Sequence, residues 1–181
     1  MSTGAVTRLL RIRWHIARVA PIIAGATDVA TAAMSSPSAP APLDAELHGK
    51  VLYVEDVDVN YMMVEGGLAS FPGVQLIRAT TGLDGVRLVR SEQPDFVLLD
   101  MHLPDISGLE VVRQISEDIA ARRLRVTILT GDELTMDVIK AMSLGAFEYW
   151  IKPVDVRVLR DGVRRALAGH RPDPARTLTP R

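Results

Sequence analysis

The chain has 181 residues, 48% of them hydrophobic, and a net charge of −1. That is enough for one packed domain with terminal extensions, and the near-neutral balance supplies no general attraction to nucleic acid or an anionic membrane. The absence of cysteine excludes a disulfide framework, a thiolate metal site and a cysteine nucleophile, and no apolar run approaches the roughly 20 residues of a bilayer span.

Residues 1–48 differ in character from the rest of the chain. Arg8, Arg11, Arg13 and Arg18 precede any acidic residue, and Thr7 to Ala26 mixes apolar residues with arginines in a way that could form a short helix, although Pro21 would break or kink it. Ser35 to Pro42 alternates Ser, Pro and Ala, which cannot build a core and reads as a linker. The basic, acid-poor start is compatible with a targeting peptide, but its apolar stretch is short, contains Pro21 and is soon followed by Asp28. The plainer expectation is a disordered or weakly helical extension, or an over-extended start, ahead of a folded domain at 49–168.

From Lys50 short apolar runs alternate with amphipathic segments, the rhythm of βα units stacked into a parallel sheet. Five runs, Val51 to Val54, Val74 to Ile77, Phe96 to Leu99, Val126 to Leu129 and Phe147 to Ile151, are β-branched or aromatic-rich, and most are nearly all apolar, as strands covered on both faces should be. Between and after them, helical spacing predicts helices over Asn60 to Leu68, Leu83 to Val89, Leu109 to Ile119, Leu134 to Leu144 and Val156 to Leu167. Asp58 and Ser107 are placed to cap the first and third of these, and Gly145 follows Leu144 where a helix end favours a residue tolerant of positive φ. The result is a (βα)5 α/β domain, followed at 169–181 by a tail containing Pro172, Pro174 and Pro180, expected to be disordered.

Open parallel sheets bind ligands beyond the carboxyl ends of their strands. Here the first strand ends in Glu55-Asp56, the third in Asp100, the fourth in Thr130 and the fifth in Lys152-Pro153, while the second ends in nothing comparable. Each group alone has a plain explanation as a strand-end polar residue or turn. Together they would place three carboxylates, a hydroxyl and an ammonium on one rim. Carboxylates so close either protonate or enclose a hard cation, and Mg²⁺ suits a site of few carboxylates that leaves room for a phosphate oxygen. Lys152 could balance charge and then hold a phosphoryl oxygen. No serine–histidine pair is evident, and His15, His48, His102 and His170 lack the spacing of metal ligands. A carboxylate nucleophile at Asp100, forming an aspartyl phosphate, is the natural reading.

These motifs resemble the receiver domain of two-component response regulators, from about Lys50 to Leu167. Val51-Leu-Tyr-Val-Glu-Asp56 is similar to that family's first strand and acidic pair, and Asp95-Phe-Val-Leu-Leu-Asp-Met-His-Leu-Pro-Asp-Ile-Ser-Gly108 to its phosphoacceptor strand and loop. Leu129-Thr130-Gly131 and Gly145-Ala-Phe-Glu-Tyr-Trp-Ile-Lys-Pro153 complete the match. The offsets from Asp100 to Thr130 and Lys152 equal those of chemotaxis-type single-domain regulators. The resemblance implies a flavodoxin-like doubly wound sheet of order 2-1-3-4-5. It also implies that a histidine kinase or histidine phosphotransfer protein phosphorylates Asp100. Asp56, Asp100 and the backbone carbonyl of His102 would ligate Mg²⁺, with Glu55 acting through water. Thr130 and Tyr149 would form the switch, Lys152 would pair with the phosphate, and the Lys152–Pro153 bond would be cis. Gly131 departs from the family's usual alanine, and His102 and Asp132 stand at positions that tune phosphoryl lifetime.

Only about a dozen residues follow Leu167, too few for an output domain, so direct DNA binding is not expected and Arg164-Arg165 alone make no groove reader. The expectation is a stand-alone cytoplasmic switch, not a conventional enzyme, that contacts a downstream protein through its fourth helix, fifth strand and fifth helix, around Met136, Lys140, Tyr149, Val156 and Arg160. Two further possibilities are a phosphorelay intermediate and a degenerate interaction module. A haloacid-dehalogenase-like phosphatase would need an aspartate where His102 stands.

Overall fold

The computed structural model describes residues 47–131 and 134–168. The expectations for the N-terminal extension and linker through residue 46, for Asp132 and for the tail at 169–181 fall outside the described residues. Within them, five strands alternate with six helices: β1 His48–Val54, α1 Asp58–Leu68, β2 Gly73–Ala79, α2 Gly82–Glu92, β3 Phe96–Asp100, α3 Gly108–Gln114, α4 Ser116–Arg122, β4 Arg125–Thr130, α5 Met136–Ser143, β5 Glu148–Ile151 and α6 Val156–Leu167. All strand pairs are parallel, and the sheet order is β2-β1-β3-β4-β5, the doubly wound arrangement that the family resemblance implied. None of these helices is long and apolar enough to cross a membrane.

Strand alternation divides the core into two layers. On one face Leu52 and Val54 of β1, Val97 and Leu99 of β3 and Val126 and Ile128 of β4 pack beneath the α2, α3, α4 and α5 residues Val86, Val112, Ile119 and Val138. On the other, Val51, Tyr53, Phe96, Leu98, Leu129 and Trp150 meet Val64 and Leu68 of α1 and Leu159, Val163 and Leu167 of α6. Burial on both faces explains why Val51 to Val54 and Phe96 to Leu99 read as unbroken apolar runs and why Val126 to Leu129 is interrupted only by Thr127. Two glycines are demanded by geometry. Gly145 has a φ of +109° at the end of α5, and a Cβ on Gly108 would run into the backbone of Asp100 and Met101, where the loop after β3 folds back on the strand.

Two expectations need correction. The single helix predicted over Leu109 to Ile119 is two helices, because Ile115 leaves helical geometry (φ −101°, ψ 10°) and the Ser116 hydroxyl takes the Arg113 carbonyl at 2.8 Å. Asp58 is not the cap of the first helix. Val57 holds that position, Asp58 is the first helical residue, and its carboxylate pairs with Arg78 at 2.6 Å. Ser107 does cap α3, accepting from the Glu110 amide at 3.3 Å.

Candidate functional site

The rim is assembled by backbone bonds that carry the sheet past its formal strand ends. The Glu55 amide donates to the Ala79 carbonyl at 2.9 Å, Met101 to Leu129 at 3.1 Å, and Lys152 to Thr130 at 2.7 Å. Glu55, Asp100 and Lys152 each follow by two residues a side chain of the α1/α6 layer, namely Tyr53, Leu98 and Trp150, so the pleat directs all three to that side. The Lys152 ammonium bridges the two acids, 2.7 Å from Glu55 Oε2 and 2.8 Å from Asp100 Oδ2. Asp56 completes the group: carboxylate oxygens of Glu55, Asp56 and Asp100 lie within 4.8 Å of one another.

The three acids are not equivalent. Glu55 is fully buried, Asp100 is 5% exposed and Asp56 is exposed. Glu55 is held by four donors: Tyr53 Oη at 2.8 Å and Lys152 on Oε2, and the Val57 amide at 3.2 Å and Asn60 Nδ2 at 3.1 Å on Oε1. Burial pushes its carboxyl up, but the hydrogen bonds from Lys152, Asn60 and Tyr53 outweigh that and leave it below the ordinary range. For Lys152, burial favours the neutral amine, and its bonds to Asp100 and Glu55 reverse this and hold it charged. Burial first, and then the Glu55 charge, raises the Tyr53 phenol and keeps it a donor.

Around this centre, the His102 amide donates to Asp100 Oδ1 at 3.3 Å, while the residue itself is exposed. Thr130 is buried at the neighbouring strand end, and Tyr149, half-buried, packs against the α2–α5 layer. The Lys152–Pro153 bond is cis. A Cβ on Gly131 would meet nothing within 4 Å, so packing does not require the glycine there. Of the residues expected on the output surface, Met136 is 65% exposed and Lys140 pairs with Asp137. Val156 is 42% exposed, and both it and Arg160 also approach α1. Val156 lines a groove with Met63 and Val64 of α1, and Arg160 Nε donates to the Gly67 carbonyl at 3.1 Å, because this side of α6 packs on α1.

Sequence reasoning missed three groups that build the site. Tyr53 and Asn60 hold Glu55. Asp105 fixes the loop after β3 to the start of α2 by accepting from the Gly82 and Leu83 amides at 2.7 and 2.8 Å. Hard oxygen donors converging beside a bridging ammonium suit a small divalent cation and an anionic group together.

The sequence model of the response regulator receiver domain matches residues 51–164. The chain belongs to that family. Among receiver-domain relatives, it is 32% identical over 120 residues to Protein PilH of Pseudomonas aeruginosa, covering 66% of this chain and 98% of PilH. It is 31% identical over 122 residues to sporulation initiation phosphotransferase F of Bacillus subtilis, covering 67% and 95%. A solved receiver domain, that of sensor histidine kinase PA1611 from Pseudomonas aeruginosa with magnesium coordinated in its active-site cleft, superposes with a TM-score of 0.59 at 28% identity, over 66% of this chain and 98% of that one.

Proposed function

We propose that this receiver domain is a stand-alone response regulator that accepts a phosphoryl group from a phospho-histidine donor onto Asp100. The observation that carries the reading is the Lys152 ammonium held 2.8 Å from Asp100 Oδ2, beside a second acid open to solvent. An oxygen of Asp100 attacks phosphorus, the phosphorus–nitrogen bond to the donor imidazole breaks, and the imidazole leaves with the bonding pair and takes up a proton. Lys152 follows the transferred charge by exchanging a carboxylate oxygen for a phosphoryl oxygen, and the Thr130 hydroxyl supplies a further bond. Asp56, Asp100 and the His102 carbonyl would hold Mg²⁺, with Glu55 acting through water; the ion would neutralise phosphoryl charge that the carboxylates otherwise repel. Domain limits at 49–168, with an extension before and a tail after, go with this reading.

The phosphorylated state is read out by a downstream protein at α5 and β5, where Met136, Ile139, Phe147 and Ile151 leave apolar side chains at the surface. The name of the Bacillus subtilis relative, a phosphotransferase, supports a second role, handing the phosphoryl group on to a histidine phosphotransfer protein. The test is incubation of the full chain with acetyl phosphate and Mg²⁺ followed by intact-mass measurement. Wild type should gain one phosphoryl group and Asp100→Asn none. Equal labelling of both would overturn the assignment.

A further inference from the structure

Tyr53 lies on the interior strand β1, 1% exposed, where the other buried residues Val51, Leu52 and Val54 are aliphatic. A phenol buried there brings a hydroxyl that needs a partner. It has one. Tyr53 Oη donates to Glu55 Oε2 at 2.8 Å, the same oxygen that accepts from Lys152, whose ammonium also reaches Asp100. The ring is fixed from outside as well: Tyr61 stacks on it at 6.2 Å and 17°, and the Arg78 guanidinium covers Tyr61 at 4.6 Å while pairing with Asp58.

We infer that Tyr53 is a positioning residue for phosphoryl acceptance: its hydroxyl pins Glu55 Oε2 and thereby aims the Lys152 ammonium at Asp100. The inference rests on Asp100 being the phosphoacceptor and goes beyond it. A buried carboxylate with four donors has no freedom to rock. Remove the hydroxyl, and Oε2 keeps only the lysine; the carboxylate turns toward the Val57 amide and Asn60 on its other oxygen and draws Lys152 away from Asp100. Lys152 matters when a phosphoryl group or its mimic is bound. The direct ligands proposed for the cation, Asp56, Asp100 and the His102 carbonyl, are not held by Tyr53, and Glu55 would reach the ion only through water, so the ion depends on this aim less than the phosphoryl group does.

The test is Tyr53→Phe in the full chain, which keeps the ring and its stack on Tyr61. Calorimetric titration with Mg²⁺ alone, then with beryllofluoride at saturating Mg²⁺, separates the two functions. The expected result is beryllofluoride binding weaker by about tenfold, the scale of one hydrogen bond to a charged group, with Mg²⁺ affinity falling clearly less than that. Equal weakening of both ligands would mean that the hydroxyl supports the acidic site as a whole, and a lowered melting temperature with both affinities intact that it serves stability alone; either would overturn the inference. Wild type that neither binds beryllofluoride nor accepts a phosphoryl group on Asp100 would refute the underlying reading of the site, and the role of Tyr53 with it. That outcome appears before any variant is compared.

Discussion

Gly66 and Gly67 are neighbours in α1, and alanine should act on them in different ways. A Cβ on Gly66 would meet nothing within 4 Å, whereas one on Gly67 would lie 2.6 Å from Leu159 Cδ2 of α6. Both substitutions gain the same helical preference, about 0.5 to 1 kcal/mol near a helix end, because alanine has less backbone freedom to lose. At Gly67 the leucine methyl must retreat by roughly 1 Å to regain ordinary carbon–carbon contact. Leu159 is 2% exposed and Arg160 ties α6 to the Gly67 carbonyl, so neither the side chain nor the helix retreats freely. Crowding of that kind costs about 1 to 3 kcal/mol. Gly66→Ala should therefore be more stable than wild type, and Gly67→Ala less stable than Gly66→Ala by about 1 to 3 kcal/mol. Urea unfolding followed by far-ultraviolet circular dichroism measures this, and the comparison between variants cancels the helical preference. Gly67→Ala matching Gly66→Ala would refute the close packing of α1 on α6.

Two further outcomes concern buried polar groups. The folded pKa of Glu55 lies below its ordinary 4.5, so its ionised form contributes stability that is complete above that value and is lost as the pH falls through the folded value. In Glu55→Gln the unfolding free energy should fall less steeply between about pH 5 and about pH 3 than in wild type, and parallel acid limbs would contradict the hydrogen bonding described for Glu55. Thr127 Oγ1, fully buried in β4, has no hydrogen-bond partner among the described residues. Thr127→Val, equal in shape, should raise stability by about 1 kcal/mol in the same urea assay, and a loss would mean that the hydroxyl is partnered in solution.

The fold was legible because its signals are local. Runs such as Val51 to Val54 and Phe96 to Leu99, short and rich in β-branched or aromatic residues, read as strands covered on both sides, and the parallel order brings their polar ends to one rim. The break at Ile115 was hidden, since Leu109, Val112, Ile115 and Ile119 keep helical spacing across it and only the Ser116 hydroxyl disrupts the ladder. Asp58 misled for a related reason: a good capping residue next to a helix start was instead drawn to Arg78, twenty positions away and on β2. At the site, Glu55, Asp100 and Lys152 stood out as charges after apolar runs, and they meet. Tyr53 did not stand out, because tyrosine belongs in strands by propensity; the signal was its spacing of two from Glu55, which puts its hydroxyl on the same side. Asn60 and Asp105 act across turns whose path no pattern of apolar residues specifies.

If Mg²⁺ binds as proposed, the unequal depth of the three acids sets the side from which it would enter. Asp56 stands at the surface, while Glu55 stays tethered inside by its four donors. A cation from solution would meet Asp56 first, shed water on that side alone, and depart by the same route. Exchange of the proposed ion would thus be a one-sided event at the rim, and the interior need not open for it.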